Sequence, residues 1–386
     1  MAKVTWKFVR VTGSVNLTTD VMSFSRFRGK QQYLDNYTGQ TMTVTIRNNT
    51  NQSASWVVGE AYNISLTDGR DLQTFWVNEV QYNDQQGTTT TSGSGSASTA
   101  TVILQDWIGR AGQIQLTNFT LTQDETYDQI VNQITAASGA LPTDMAYYSG
   151  TAGTFNAAAA TYTGTIANRI NLNLAGEAAG SQIYQQENQL FLRPGESALN
   201  GTEVTLQPSK GASTGNYFLV YQNFKRITAG QNFINTVTVT PPVAAAQTAT
   251  DASSVTTYGT RFNGVSTVNT TTSQALSRAQ WLANSQSDPN ALHFEVSFSD
   301  VVQDNDGIGV MLQQYLSNAI IYLKYVVPGS GVTTTTTCNI EGIRYSASTD
   351  QTLLTMFLSP SAMYAEFRLD STAFGVLDRN RLGVNA

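Results

Sequence analysis

One histidine and one cysteine serve the whole of this 386-residue chain. A thiol nucleophile needs a neighbouring base that a third group orients, and a His/Cys metal centre needs three or four ligands. His293 and Cys338 alone supply neither. His293 stands in "HFEVSFSD", where Phe294, Val296 and Phe298 alternate with polar residues, and this period of two makes it a strand-edge residue rather than a base. "DNDG" at Asp304 to Gly307 has the opening of a calcium loop, but such a loop requires a Glu six residues after the Gly, and Gln313 stands there, so a hydrated turn is expected. The carboxylates are sparse and follow no motif, which leaves a two-carboxylate glycoside hydrolase as a third-ranked reading. The expectation is a chain that is not an enzyme and holds no cofactor and no metal. A single cysteine also rules out an internal disulfide.

The residues with chemistry to offer are those suited to contact. The chain closes on "RLDSTAFGVLDRNRLGVNA", from Arg368 to Ala386, although final residues are usually polar unless something holds them. Leu369, Phe374, Leu377 and Leu382 are apolar anchors; Asp370 and Asp378 can accept backbone N–H bonds in local turns, and Gly375 permits a left-handed bend. Burying Phe374, Leu377 and Leu382 is worth on the order of 5–8 kcal/mol before the entropy of ordering them is subtracted. Two dockings are open: onto a neighbouring subunit, or back onto the chain's own domain. Trp6, Trp56, Trp76, Trp107 and Trp281 could stack on sugars if exposed, although the surroundings of Trp76 and Trp281 predict core positions for both.

Elements must hold these residues in place, and composition says of what kind. Only 12% of residues are charged, about half the usual share, so Thr, Ser, Asn, Gln and Gly cover most of the surface. With 17 Tyr, 16 Phe and many Val, Ile and Thr, this is the make-up of a β protein. A formal charge of -6 argues against a protein that grips nucleic acid through its phosphates, while a wall that DNA slides past stays compatible. No apolar run reaches the length that spans a bilayer, and "MAKVTWKFVRVTG" has no apolar signal core, so a product of the cytoplasm is expected.

Along the chain, "WKFVRVTGSVNL", "TMTVTIRNN" and "DLQTFWVNEVQYN" read as strands, with Met42, Val44 and Ile46 on one buried face. "QQGTTTTSGSGSAST", from Gln85 to Thr99, reads as a flexible loop. Thr122 and Glu125 have the spacing of a capping box for a helix through Tyr127, Ile130, Val131 and Ile134 that Gly139 and Pro142 end. "AGEAAGSQIYQQENQLFLRP" reads as a short helix and two strands about a polar turn. "NTVTVTPP" is a strand, followed by a small-residue linker; "SQALSRAQWLANS" is a helix with a stripe of Ala275, Ala279 and Leu282 after the caps Thr271 and Thr272. "HFEVSF", "AIIYLKYVV", "TTCNIEGIRYSA" and "TLLTMFLSP" are strands, the second and third joined by a hairpin at Gly329 to Gly331.

Four stretches carry a resemblance. "SRFRGKQQYLDNYTGQTMTVTIRNNTNQ", "LAGEAAGSQIYQQENQLFLRP", "TYGTRFNGVSTVNTTTSQALSRAQWLANSQSDP" and "LSPSAMYAEFRLDSTAFGVLDRNRLG" in this order resemble the minor tail or baseplate hub proteins of long-tailed, siphophage-type bacteriophages. The resemblance implies a mainly β fold in which two related antiparallel β-barrel domains flank a mixed α/β domain. Its limits on this chain are 1–118 for the first barrel, 119–215 for the middle, completed or not by 243–290, and 216–242 with 291–386 for the second barrel and its docking segment. It further implies a virion protein of the tail tip, made in the host cytoplasm and assembled as a homotrimer. Such a ring joins a sixfold tail tube to the tip and surrounds the DNA channel without sequence-specific binding. Tube proteins, tip or fibre proteins and the tape measure protein are the implied partners. Low charge suits strands that must pair with neighbours, because charge on an edge strand prevents pairing. A carbohydrate-binding receptor module of a phage tail is the alternative.

Overall fold

The computed structural model describes residues 5–29, 39–70, 72–83, 98–120, 125–126, 147–149, 156–157, 161–166, 182–186, 189–193, 203–209, 217–228, 230, 233–267, 271–303, 320–361, 366–367 and 381–382. The fold is mainly β. Its N-terminal part comprises β1 (Trp6–Arg10), β2 (Val15–Asn16), β3 (Val21–Gly29), β4 (Thr41–Arg47), β5 (Ala61–Leu66), β6 (Gln73–Asn83) and β7 (Thr99–Gln105). These pair in the order β3-β4-β7-β6-β5-β1-β2. Alternation dictates the inner face: Met42, Val44 and Ile46 of β4 and Ala100, Val102 and Leu104 of β7 are all fully buried, while Thr43 and Thr45 face outward. The sheet rolls until its ends meet through side chains. Phe8 on β1 lies edge-on to Phe24 on β3 with 5.3 Å between centroids, and Trp6 meets Phe24 at 4.9 Å.

A short helix α1 (Trp107–Ala111) follows, then β8 (Gln115–Thr120), β9 (Glu125–Thr126), β10 (Tyr147–Ser149), β11 (Asn156–Ala157), β12 (Thr161–Thr165), β13 (Gln182–Gln186) and β14 (Gln189–Arg193). The last two form the antiparallel pair that the sequence indicates, with Gln186 opposite Gln189. The expected capping box does not hold at Glu125. Glu125 and Thr126 are extended and pair with Ala157 and Asn156, so partners distant in sequence override a local helix signal. The rest of that helix, the short helix before β13, and residues 85–97 and 304–307 lie outside the described residues.

Next come β15 (Glu203–Gln207), β16 (Tyr217–Val220) and β17 (Asn223–Thr228). A small unit then interrupts them: β18 (Thr236–Thr240), β19 (Gln247–Thr250), α2 (Ala252–Tyr258), β20 (Phe262–Ser266) and α3 (Thr272–Ser285). The stretch expected as a linker after Pro242 contains β19, whose Thr248 hydroxyl meets that of Thr238 at 2.7 Å across the ladder. The Thr271 hydroxyl caps α3 by accepting from the Gln274 N–H at 3.3 Å. Ala275, Ala279 and Ala283 are fully buried against Val237 and Val239, with Leu282 at the flank. Alanine at three successive contact positions lets the helix axis lie close over the three-stranded sheet.

The chain then returns to the large sheet through β21 (Leu292–Ser299), β22 (Ile320–Val326), β23 (Thr333–Ser348) and β24 (Thr352–Pro360), and β25 (Glu366–Phe367) and β26 (Arg381–Leu382) form a short parallel pair. The hairpin between β22 and β23 turns at Gly329 and Gly331, both at positive φ. Here too the sheet rolls. Phe224 on β17 lies 5.2 Å from Tyr325 on β22 and stacks on Phe294 of β21 at 5.9 Å. The Gln303 side chain ties β16 to the end of β21: its Nε2 donates to the Val220 carbonyl at 2.9 Å and to the Ser299 carbonyl at 3.2 Å, and its Oε1 accepts from the Val220 N–H at 3.0 Å. Among the described residues, no backbone ladder closes either roll. His293, expected at a sheet edge, stands in β21, which has β17 on one side and β24 on the other.

Candidate functional site at the joint of the two rolls

The two rolls share one strand. β23 pairs with β24 along one edge, from Cys338 opposite Pro360 to Ala347 opposite Thr352. Along its other edge it pairs first with β22, as far as Cys338, and then with β3, from Gly342 onward. The change of partner coincides with a bulge between Ile340 and Gly342. One additional residue reverses the parity of the strand. The inward positions are accordingly Cys338 and Ile340 before Glu341, and Ile343, Tyr345 and Ala347 after it. Glycine makes the crossing possible: Gly29 has φ +95° and lies opposite Gly342, and a Cβ on Gly29 would overlap the Glu341 carbonyl oxygen.

Polar groups fill this joint where β3 would ordinarily place hydrophobic ones. In "SFSRFRG" the inward side chains are Phe24, Arg26 and Arg28, and both arginines are 1% exposed. The Arg26 guanidinium donates from Nε to Gln40 Oε1 at 3.1 Å and also to Gln73 Oε1. Its planar face lies 5.1 Å from the Phe75 centroid and 4.8 Å from that of Tyr345, an arrangement open to Arg and not to Lys. Tyr345 in turn stacks on Trp6 at 5.3 Å and 9°. Phe27 faces outward instead, edge-on to Phe357 at 5.8 Å and under the Arg344 guanidinium at 5.7 Å. Residues from β1, β3, β6 and β23 thus meet around one buried cation.

Asp106 is the acidic counterpart. It is fully buried and caps α1, its Oδ1 accepting from the Gly109 N–H at 2.8 Å. Burial pushes its carboxyl up to about 7, against the opposing pull of the Gly109 and Gln40 N–H groups and the Arg26 charge. Glu341, the bulged residue, is 1% exposed and brings a second acidic side chain to the joint. The strand pattern read from sequence gave no sign of these groups. The signal available was Arg26-Phe27-Arg28, which disrupts an otherwise regular alternation, and Asp106 directly before "WIGR", where a capping Asp is favoured.

The residues singled out in the sequence fall elsewhere. Leu369, Asp370, Phe374, Gly375, Leu377 and Asp378 lie outside the described residues, and Leu382 sits in β26 opposite Phe367. Cys338 is buried, which pushes its thiol pKa up and leaves it inert as a nucleophile. The His293 ring meets the Ser359 hydroxyl at 3.3 Å through Nδ1. Trp6, Trp56 and Trp107 are buried and Trp76 and Trp281 half-buried, with the Arg110 guanidinium 5.4 Å from the Trp76 ring centroid. Among the described residues, no three His, Cys, Asp or Glu side chains cluster so as to hold a metal ion, and no helix is long and apolar enough to cross a membrane.

The chain as a whole has counterparts among known proteins. No family model matches the sequence, and no curated protein matches it. Solved structures do match. The tail protein from Neisseria meningitidis MC58 aligns with a TM-score of 0.63 at 11% identity, over 94% of this chain and 98% of that one. The 43 kDa tail protein of prophage MuSo2 from Shewanella oneidensis aligns with a TM-score of 0.57 at 12% identity, over 94% and 98%. A prophage tail protein from Listeria monocytogenes EGD-e aligns with a TM-score of 0.50 at 9% identity, over 92% and 94%. At these identities the likeness is one of fold, and the fold is that of phage tail proteins.

Proposed function

We propose that this chain is a structural, non-enzymatic subunit of a bacteriophage tail tip or baseplate hub. Three copies form a ring that continues a sixfold tail tube and leaves a channel for DNA. The observation that carries the reading is the shared strand β23. It fixes two rolled sheets side by side within one chain, so three chains supply six similar units around an axis. The likeness of fold to phage tail proteins over more than nine-tenths of the chain supports the same reading. In this proposal the rolls are the two barrel-like domains, the first within 1–118 and the second built from β15, β16, β17 and β21 to β24. The limits expected from the sequence shift accordingly, since β15, in 119–215, pairs with β22 in the second roll, and β18, in 216–242, pairs with β19 and β20 in the small unit. The rest of 119–215 and the small unit from β18 to α3 form the mixed part.

A ring of identical chains needs heterologous contacts, one surface of each copy meeting a different surface of the next. The C-terminal anchors Phe374, Leu377 and Leu382 are proposed as part of that contact, and tube, tip and tape measure proteins as the axial neighbours. The reading places the chain in the virion. Native mass spectrometry of the purified chain with its tube-side partner tests it. A species with three copies is the expected result, and a chain that stays monomeric at all concentrations and is missing from the particle overturns it.

A further inference from the structure

A groove of about 310 Å³ lies on the outer face of the sheet, at the end of the β3–β23 ladder away from the bulge, spanning β4, β3, β23 and β24. None of its lining residues is charged. Register places the hydroxyls in rows: Thr45, Ser23 and Ser348 lie abreast across three strands, and Thr43, Ser25 and Ser346 lie abreast in the next row. Neighbours in such a row are about 5 Å apart and the rows about 7 Å apart. The hydroxyls of Ser23, Ser25, Thr43, Thr45 and Ser346 have no hydrogen bond within the protein, so their donors and acceptors face the groove unengaged. Leu353 and the threonine methyl groups add apolar surface at the same place.

We infer that this groove binds a neutral saccharide. The chemistry selects among ligand classes. Nucleic acid and anionic lipid need lysine or arginine, and a divalent cation needs carboxylates, none of which line the groove. A protein partner needs a larger apolar centre than one leucine. A pyranose presents hydroxyls that both donate and accept, together with C–H faces that pack on methyl groups. Three hydroxyls in a row span about 10 Å, the reach of a disaccharide. The volume stands at the lower end of the range for small-molecule sites, about 300–1,000 Å³. The site owes nothing to exposed tryptophan, which is why the aromatic residues did not reveal it. It is also independent of ring formation.

The test uses the full chain with cellotriose, maltotriose and chitotriose as probes, followed by saturation-transfer NMR and calorimetry. At least one of them should bind saturably with a millimolar Kd. A chain carrying Thr43→Val and Ser346→Ala should bind that sugar about tenfold more weakly, since removing hydrogen-bond partners from a sugar site costs about that much. Its melting temperature should not change, because both side chains point away from the core. If no probe binds up to its solubility limit, or if the double variant binds as the parent does, the inference fails. A sugar-binding chain that never forms a ring would instead defeat the hub assignment and leave this one standing.

Discussion

Gly29 and Gly342 lie opposite each other where β3 joins β23, and the backbones approach so closely that a Cβ on Gly29 would stand 2.7 Å from the Gly342 Cα. The joint between the two rolls therefore depends on the absence of a side chain at this point. Gly29→Ala combines a positive φ with a backbone overlap and should cost about 2–4 kcal/mol, at the high end for single substitutions. Gly59→Ala is the internal control. Gly59 has φ +84° with nothing within 4 Å of a Cβ, so only about 1 kcal/mol of conformational strain is expected. Equilibrium urea unfolding of both variants checks this, and equal losses would mean that the joint is not tight.

Asp106 predicts a pH dependence. The folded chain holds its carboxyl proton up to about 7 and the unfolded chain only to about 3.8. Between these values the folded state binds more protons, so stability falls as pH rises, by on the order of 1 kcal/mol per unit, and is level outside the window. Asp106→Asn keeps an oxygen for the Gly109 N–H and removes the titration. Its melting temperature should fall less between about pH 5 and 7 than that of the parent. Parallel curves would show that Asp106 is ionised throughout.

The Gln303 clasp on Val220 should be visible in hydrogen exchange. Gln303 is 3% exposed, and its loss leaves the Val220 N–H and C=O without their partner. Gln303→Ala should reduce stability by about 1–3 kcal/mol and speed exchange at the Val220 amide selectively. Unchanged exchange at Val220 would mean that Gln303 does not hold β16 in place.

The C-terminal anchors separate two dockings. Deleting Phe374 to Ala386 should abolish the trimer and spare the monomer's melting transition if the segment packs between subunits, since only interface burial is lost. A fall of many degrees in the monomer's melting temperature would place the segment on its own domain instead. Leu377→Asp tests the same point at full length, because a charge in a dry pocket is costlier than truncation. If that variant assembles and melts like the parent, Leu377 is exposed and neither docking holds.

Much of this fold was legible locally. Alternation in "TMTVTIR" and "TLLTMFLSP" determines a strand and its buried face because side chains reverse at every residue. The cap at Thr271 and the alanine spacing determine α3 because both act within a few residues. The hairpin at Gly329 and Gly331 was readable for the same reason. What tertiary structure alone decided is the partnership of distant strands. β23 exchanges β22 for β3 at Glu341, Glu125 is extended rather than helical, and Arg26 is buried between Phe75 and Tyr345. No window of sequence contains those partners. An arginine in a strand signals solvent until another part of the chain supplies two amides and two rings to receive it, and a bulge shifts the buried face only relative to the strand beside it.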